Sequence, residues 1–342
     1  MLYGILPQKY YVHYCKGVRG VRLLLQDEIT PAELIEAHVF ISQFSDEFEL
    51  LYVQRRADRL HFVRPIIHTL SHMAGETARK GPGNIYSQWA MERTIGNLGQ
   101  EIWQHSNPYA NLSECALQRC QVNALMAVIP ELAPKHDKLP RGAIDLGDGF
   151  RLLGAQDSCS RSVRPCEEAA IRTYIEEEFG DDAAEAWYPS VVRWARARLP
   201  TGQTARSFWK EEHKIDLRTS RAIKIQADDG PIKIAEVLYF FILTIDDELR
   251  YVAVASFYGP PDPYLHNLSS KTYWSSQHLR DTGIRVVNIK DILAVVMMGI
   301  DDQYALYRSD GSEVDRWFLK EQFSLPQADS TGSEDPMDVY DD

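Results

Sequence analysis

Long apolar runs are missing from these 342 residues. No stretch approaches the ~20 consecutive apolar side chains of a membrane-spanning helix, which excludes that class of membrane protein. The opening MLYGILPQKYYVHYCK does not read as a secretory leader, since it starts apolar with no basic region ahead of it and no small-residue cleavage site. The expectation is an intracellular protein. Cysteine is scarce, five in all at 15, 115, 120, 159 and 166, with no C-x-x-C pair. An odd count in a reducing compartment reads as free thiols. No internal repeat is evident.

What is present is ordinary for a globular chain, 44% hydrophobic and 25% charged, with length enough for two domains. The net charge of −12 is uneven. Residues 1 to 140 carry 14 basic and 14 acidic side chains, so the deficit belongs to the second part. That balance argues against a nucleic-acid protein globally, yet residues 187 to 224 hold nine Lys or Arg against three acids. Local fields decide contacts, because charges beyond a Debye length of ~8 Å are screened.

The expected fold is α+β: an N-terminal helical domain, then a small, mainly antiparallel β domain and a disordered acidic tail. The boundaries read as 1–130 helical, 131–186 linker or irregular, 187–217 a basic helical segment, 218–325 the β domain and 326–342 the tail. Thr30, Pro31 and Glu33 form a helix start with a capping box. Leu34, Ala37, Ile41, Phe44, Phe48 and Leu51 then recur at helical spacing. A second helix is predicted from Pro65 through Met73 until KGPGN at 80 to 84 stops it, and another over Ser113 to Val128. Three prolines in PELAPKHDKLPRG, 130 to 142, suggest a linker. Residues 187 to 199 read as helix ended by Pro200.

After residue 220 the period changes. Ile and Lys alternate on both sides of an Asp-Asp-Gly turn, followed by β-branched and aromatic residues up to a second turn at Asp246-Asp247-Glu248. With residues 284 to 298 this predicts an antiparallel sheet or barrel. In AIDLGDGF, 143 to 150, the glycines suit a plain Asp-Gly turn better than a phosphate loop. The last seventeen residues hold six acids, no base and little to bury.

Several candidate site residues stand out. In QWAMERTIGNLGQEIWQHSNP, 88 to 108, Met91, Ile95, Leu98 and Ile102 make the obvious core stripe, and Glu92 lies on its shoulder with Trp89, Gly96, Gly99 and Trp103. Glycines inside a helix cost about 1 kcal/mol each against alanine, which suggests that something approaches closely there. Taken alone, the Glu92-Arg93 pair reads as a solvated charge. His68 and His72 stand at i and i+4, a spacing zinc sites use, but without an HExxH glutamate or a third ligand they read as structural. Arg55, Arg56, Arg59 and Arg64 gather at the end of the long helix, as helix-capping or phosphate-binding residues. Arg193, Arg196, Arg198, Arg206 and Lys210, interleaved with Trp187, Trp194 and Trp209, are candidates for nucleic-acid binding, with the aromatics either stacking or packing.

The stretch from Arg59 to Leu125 resembles the region that follows the catalytic core in CACTA-type (En/Spm-type) transposases, in their fungal transposon-derived form. His68, His72, Gly81-Pro82, Trp89, Glu92-Arg93 and Asn107-Pro108 carry the resemblance, which spans roughly residues 15 to 128. It implies DNA transposition by a ribonuclease-H-like core whose two Asp and one Glu hold divalent metal, with Glu92 matching the third carboxylate and His68, His72, Trp89 and Arg93 supporting its place. Plant members tend to have Pro and Phe before the Glu-Arg pair, where Ala90 and Met91 stand here. No sheet supplying two aspartates is legible before residue 88, so Mg²⁺ is expected only with an upstream core. The expectation is a transposon-derived fragment without turnover of its own, retaining contacts to DNA or protein and nuclear if functional. The alternative is a chromatin-associated adaptor using its β domain, and an unrecognised hydrolase is the third reading.

Overall fold

The computed structural model describes residues 2–84, 87–100, 102, 106–132, 139–212, 219–226, 230–300, 306–307, 313–314 and 316–320. The architecture is α+β, with helices first and antiparallel sheets after. Helices α1 (Gln8–Leu24) and α2 (Pro31–Phe48) form a hairpin, joined by α3 (Pro65–Leu70) and α4 (Met73–Lys80). The capping box opens α2 as expected: Glu33 N–H donates to Thr30 Oγ1 at 3.3 Å and Thr30 N–H to Glu33 Oε2 at 2.9 Å. Ala37 and Ile41 bury the predicted stripe against Leu23 and Leu24 of α1 and Ala74 of α4.

Two glycines in α1 make that hairpin possible. A Cβ at Gly20 would lie 2.5 Å from Ile41 Cγ1, and one at Gly17 would lie 2.8 Å from the Phe44 ring. His13 is buried beside them, stacked on Phe44 at 4.5 Å and with Nε2 2.8 Å from the Phe44 carbonyl. The helix expected from Pro65 to Met73 breaks at Ser71–His72, although Leu70 and Met73 still pack on the α1–α2 core. Gly81, at φ 87°, ends α4 where the sequence placed the stop.

The next pair departs from expectation. In α5 (Trp89–Gln100) the first part of the predicted core stripe is uncovered, with Met91 55% and Ile95 60% exposed, while Leu98 is half-buried. Among the described residues a Cβ at Gly96 or Gly99 would meet nothing within 4 Å, so none of them makes the close approach inferred from those glycines. α6 (Pro108–Val128) starts at Pro108, five residues earlier than Ser113, and buries no residue. Its partner is α5.

Strands β1 (Ile144–Gly147), β2 (Phe150–Leu152), β5 (Arg196–Arg198) and β6 (Thr204–Arg206) make one antiparallel sheet in the order β1-β2-β5-β6. Between them in sequence come the β3 (Arg161–Ser162) and β4 (Ser190–Val191) pair, α7 (Pro165–Phe179) and α8 (Asp181–Ala186). After the short α9 (Phe208–Glu211) follow β7 (Ala222–Ile225), β8 (Lys233–Ile245), β9 (Glu248–Phe257), α10 (Pro263–Leu268), β10 (Ser275–Gln277), β11 (Ile284–Asn288) and β12 (Ile292–Ile300). Strands β13 (Leu306–Tyr307) and β14 (Glu313–Val314) pair with each other, and β15 (Arg316–Lys320) closes the described chain. The large sheet runs β10-β15-β12-β7-β8-β9-β11. The β8–β9 turn falls at Asp246 and Asp247, both at positive φ, as the sequence indicated.

The large sheet is covered on both faces. On one, the small sheet contributes Leu146, Phe150, Leu152, Trp194 and Ala197 to a core with Ile223, Val237, Phe240 and Ala253. On the other, Ile171 and Ile175 of α7 pack on Tyr239, Phe241, Leu243 and Val252. This explains why β8 reads as an almost unbroken apolar run.

Two boundary expectations are therefore corrected. Residues 131–186, expected to be linker, contain the β1–β2 hairpin and α7–α8, and the β region starts near Ile144 rather than at 218. Residues 187–199, expected to be helix, are extended. Arg196, Ala197, Arg198 and Leu199 alternate with period two, and open ladder edges on β2 and β8 capture them: Trp194 N–H donates to the Phe240 carbonyl at 2.7 Å, and Phe240 N–H to the Trp194 carbonyl at 3.0 Å. A short apolar-basic stretch fits both periods, and the tertiary partner decides. The tail expected to be disordered, 326–342, lies outside the described residues. The helical part meets the β part through Arg22, whose Nη1 donates to the Thr272 carbonyl at 2.7 Å.

Candidate nucleic-acid interface

The small sheet sorts its side chains by strand alternation. Ala197 pairs with Leu152 on one side and Ala205 on the other, and all three point into the core. The residues flanking them must point outward. Arg198 stands opposite Arg151 and Thr204, and Arg196 opposite Arg206. Asp145 on β1 pairs with Arg151. The outer face of this sheet therefore carries four arginines, one threonine and one aspartate, and each arginine is half-buried.

Like charges directly opposite on neighbouring strands repel, whereas an opposite-charge pair contributes roughly 0.2–1 kcal/mol. Here two cross-strand positions pair arginine with arginine in a chain with twelve surplus acids. Adjacent strands lie ~4.8 Å apart and alternate residues ~6.7 Å apart, so the four guanidinium groups span a patch suited to several phosphates. Glu211, buried at the end of α9, accepts from Ser220 N–H; burial raises its pKa above the ordinary carboxylate range.

The structure brings together only part of the predicted basic set. Arg196, Arg198 and Arg206 share the outer sheet face. Arg193 does not: its Nε donates to buried Asp157 at 2.7 Å and its guanidinium lies 4.6 Å above Trp209, so it holds the fold. Lys210 is exposed on α9. Arg151 was missed, although Phe150-Arg151-Leu152 directly after the Asp-Gly turn shows the alternation that places it. The stacking role considered for the tryptophans is also corrected: Trp194 is in the inter-sheet core, Trp187 packs beneath Arg172 and Trp209 beneath Arg193.

The residues that carry the family resemblance lie elsewhere. Trp89 opens α5; Glu92 and Arg93 are exposed on it. His68 and His72 are exposed at the α3–α4 junction. Arg59, from the basic run after α2, donates to the Tyr52 carbonyl in the π-helical turn Glu49–Val53 that continues α2, and Arg56 pairs with Asp58 at 2.8 Å. Among the described residues no three His, Cys, Asp or Glu side chains gather to hold a metal ion. A two-metal centre needs several converging carboxylates, and among the described residues none joins Glu92 in such a group.

Among the described residues, Ser256, His278 and Glu236 form a buried grouping with the chemistry of a hydrolytic relay, and its geometry is wrong for one. Ser256 Oγ donates to the Arg280 carbonyl at 2.8 Å, so its 3.0 Å contact with His278 Nε2 is one in which the imidazole donates. Glu236 sits 3.9 Å from that same nitrogen, not the opposite one, and is held by Arg221 at 2.6 Å. The five cysteines are free thiols. No described helix is long and apolar enough to cross a membrane.

The chain matches no family model, no curated protein and no solved structure.

Proposed function

We propose that the chain is transposon-derived, corresponding to the region after the catalytic core of a DDE-type DNA transposase, and that it holds DNA without turnover of its own. The observation that carries the contact is the arginine face formed by Arg151, Arg196, Arg198 and Arg206. Guanidinium groups bind phosphate oxygens in pairs. Because the tryptophans are taken up by packing, the contact is to backbone phosphate and tolerant of sequence. The transposon origin rests on the resemblance at His68, His72, Trp89, Glu92-Arg93 and Asn107-Pro108, and a DNA role places the protein inside the cell, in a nucleus.

Fluorescence anisotropy with a duplex oligonucleotide at several salt concentrations tests the contact. Four neutralised phosphates give a slope of log K against log salt of about −3.6, from roughly −0.9 per phosphate. Changing all four arginines to alanine should abolish most of that slope. Arg193→Ala, by contrast, should lower stability, because it strips buried Asp157 of a partner. Binding that is absent, or indifferent to salt, overturns the DNA reading and leaves the protein-adaptor reading of the β domain.

A further inference from the structure

His68 and His72 bring their Nε2 atoms close together across the break between α3 and α4. The two nitrogens are 3.1 Å apart, with ring planes at 88° and centroids 4.7 Å apart. The spacing survives the break because Ser71 and His72 stay in the right-handed helical region, with His72 N–H donating to the Thr69 carbonyl and its own carbonyl accepting from Glu76 N–H. Both imidazoles are exposed. Neither contributes to the core on which Leu70 and Met73 pack.

That separation matches two ligands of one cation. At a metal–nitrogen distance of about 2.05 Å, nitrogens 3.1 Å apart subtend roughly 100° at the metal, between octahedral and tetrahedral values. We propose that His68 and His72 form a two-histidine site for a borderline divalent transition metal, zinc, nickel or copper, whose other positions are filled by water. Paired imidazoles select those ions over Mg²⁺ and Ca²⁺, which take oxygen ligands. Glu76, one turn further, stays outside the ligand set: its carboxylate is held by Arg79 at 2.6 Å and Lys80 at 2.7 Å. The ligands lie on either side of the break, so the ion clamps α3 to α4, and a ligand bound only by the folded state raises stability by mass action. This site is independent of the arginine face and of the transposon reading.

The test is calorimetric titration of the full, untagged chain with Ni²⁺ and with Zn²⁺, alongside thermal melts. One site should weaken at least about tenfold in His68→Gln and in His72→Gln, since loss of a metal-bound imidazole costs no less than loss of its supporting partners. His38→Gln, another exposed histidine on a helix, should leave it unchanged. The metal should raise the melting temperature of the wild type and not of the two variants, and Mg²⁺ should not compete. The Cu²⁺-loaded chain should show two coordinated nitrogens by electron paramagnetic resonance, falling to one in either variant. Matching far-UV circular dichroism of the metal-free proteins establishes that the variants are folded. Equal affinity and stoichiometry in folded wild type and variants would sink the proposal.

Discussion

The α5–α6 pair and the two-sheet region put patterned apolar residues to opposite ends. In the sheets, strand β8 is covered on both faces, and Phe240 and Phe241 are almost wholly buried. In the helices, Met91, Ile95, Leu117 and Val128 are more than half exposed, and α6 buries nothing. Amphipathic periodicity therefore identified a face in each case without stating whether anything covers it. A sheet supplies its own neighbours by pairing, whereas an isolated helical pair leaves its outer stripe to solvent.

The sharpest way to break this contrast is truncation in each region. Phe240→Ala should destabilise the protein by about 3–5 kcal/mol, read as a lower urea midpoint by tryptophan fluorescence. Ile95→Ala, despite its place in the predicted stripe, should stay within about 0.5 kcal/mol. Equal losses at the two positions would mean that α5 is covered as tightly as β8.

A smaller effect is expected at the α1–α2 contact, which packs closely where α5 does not. Gly20→Val pushes a side chain into Ile41 and should cost about 1–3 kcal/mol, whereas the substitution Gly96→Ala, facing open space, should be neutral or stabilising by up to about 1 kcal/mol. Far-UV circular dichroism during urea unfolding reads both.

The smallest expected effect is on pH dependence. Burial lowers the pKa of His13 below its usual value, opposed by the Phe44 carbonyl. The unfolded chain then binds more protons below about pH 6.5, so the helical part should lose stability as pH falls through that value and on through the lower folded pKa. His13→Gln should flatten this part of the profile, as followed by helical circular dichroism from pH 7.5 to 5. A wild-type profile that rises toward acid would contradict the burial argument.

Much of the fold was legible because its signals are local. The Thr30–Glu33 box, the Gly81 stop, the Asp148-Gly149 and Asp246-Asp247 turns and the strand pattern after 220 each depend on a few neighbouring residues. The candidate interface was legible in part: Arg196, Arg198 and Arg206 were found from a basic run read at the wrong period, which brought in Arg193 and missed Arg151. Nothing within residues 187 to 199 could show that β2 and β8 offer edges to them.

The sequence by itself determined the order of helices before strands, the caps and turns, and the chemical types available, because these follow from backbone preferences over a turn or two. Only the tertiary structure decided which arginines share a face. In β8 a bulge between Val237 and Tyr239 sends Val237 and Phe240 to one core and Tyr239 and Phe241 to the other, against simple alternation. A single extra residue in a ladder exchanges the faces of everything beyond it, and that insertion is set by the neighbouring strands, not by the residues inserted.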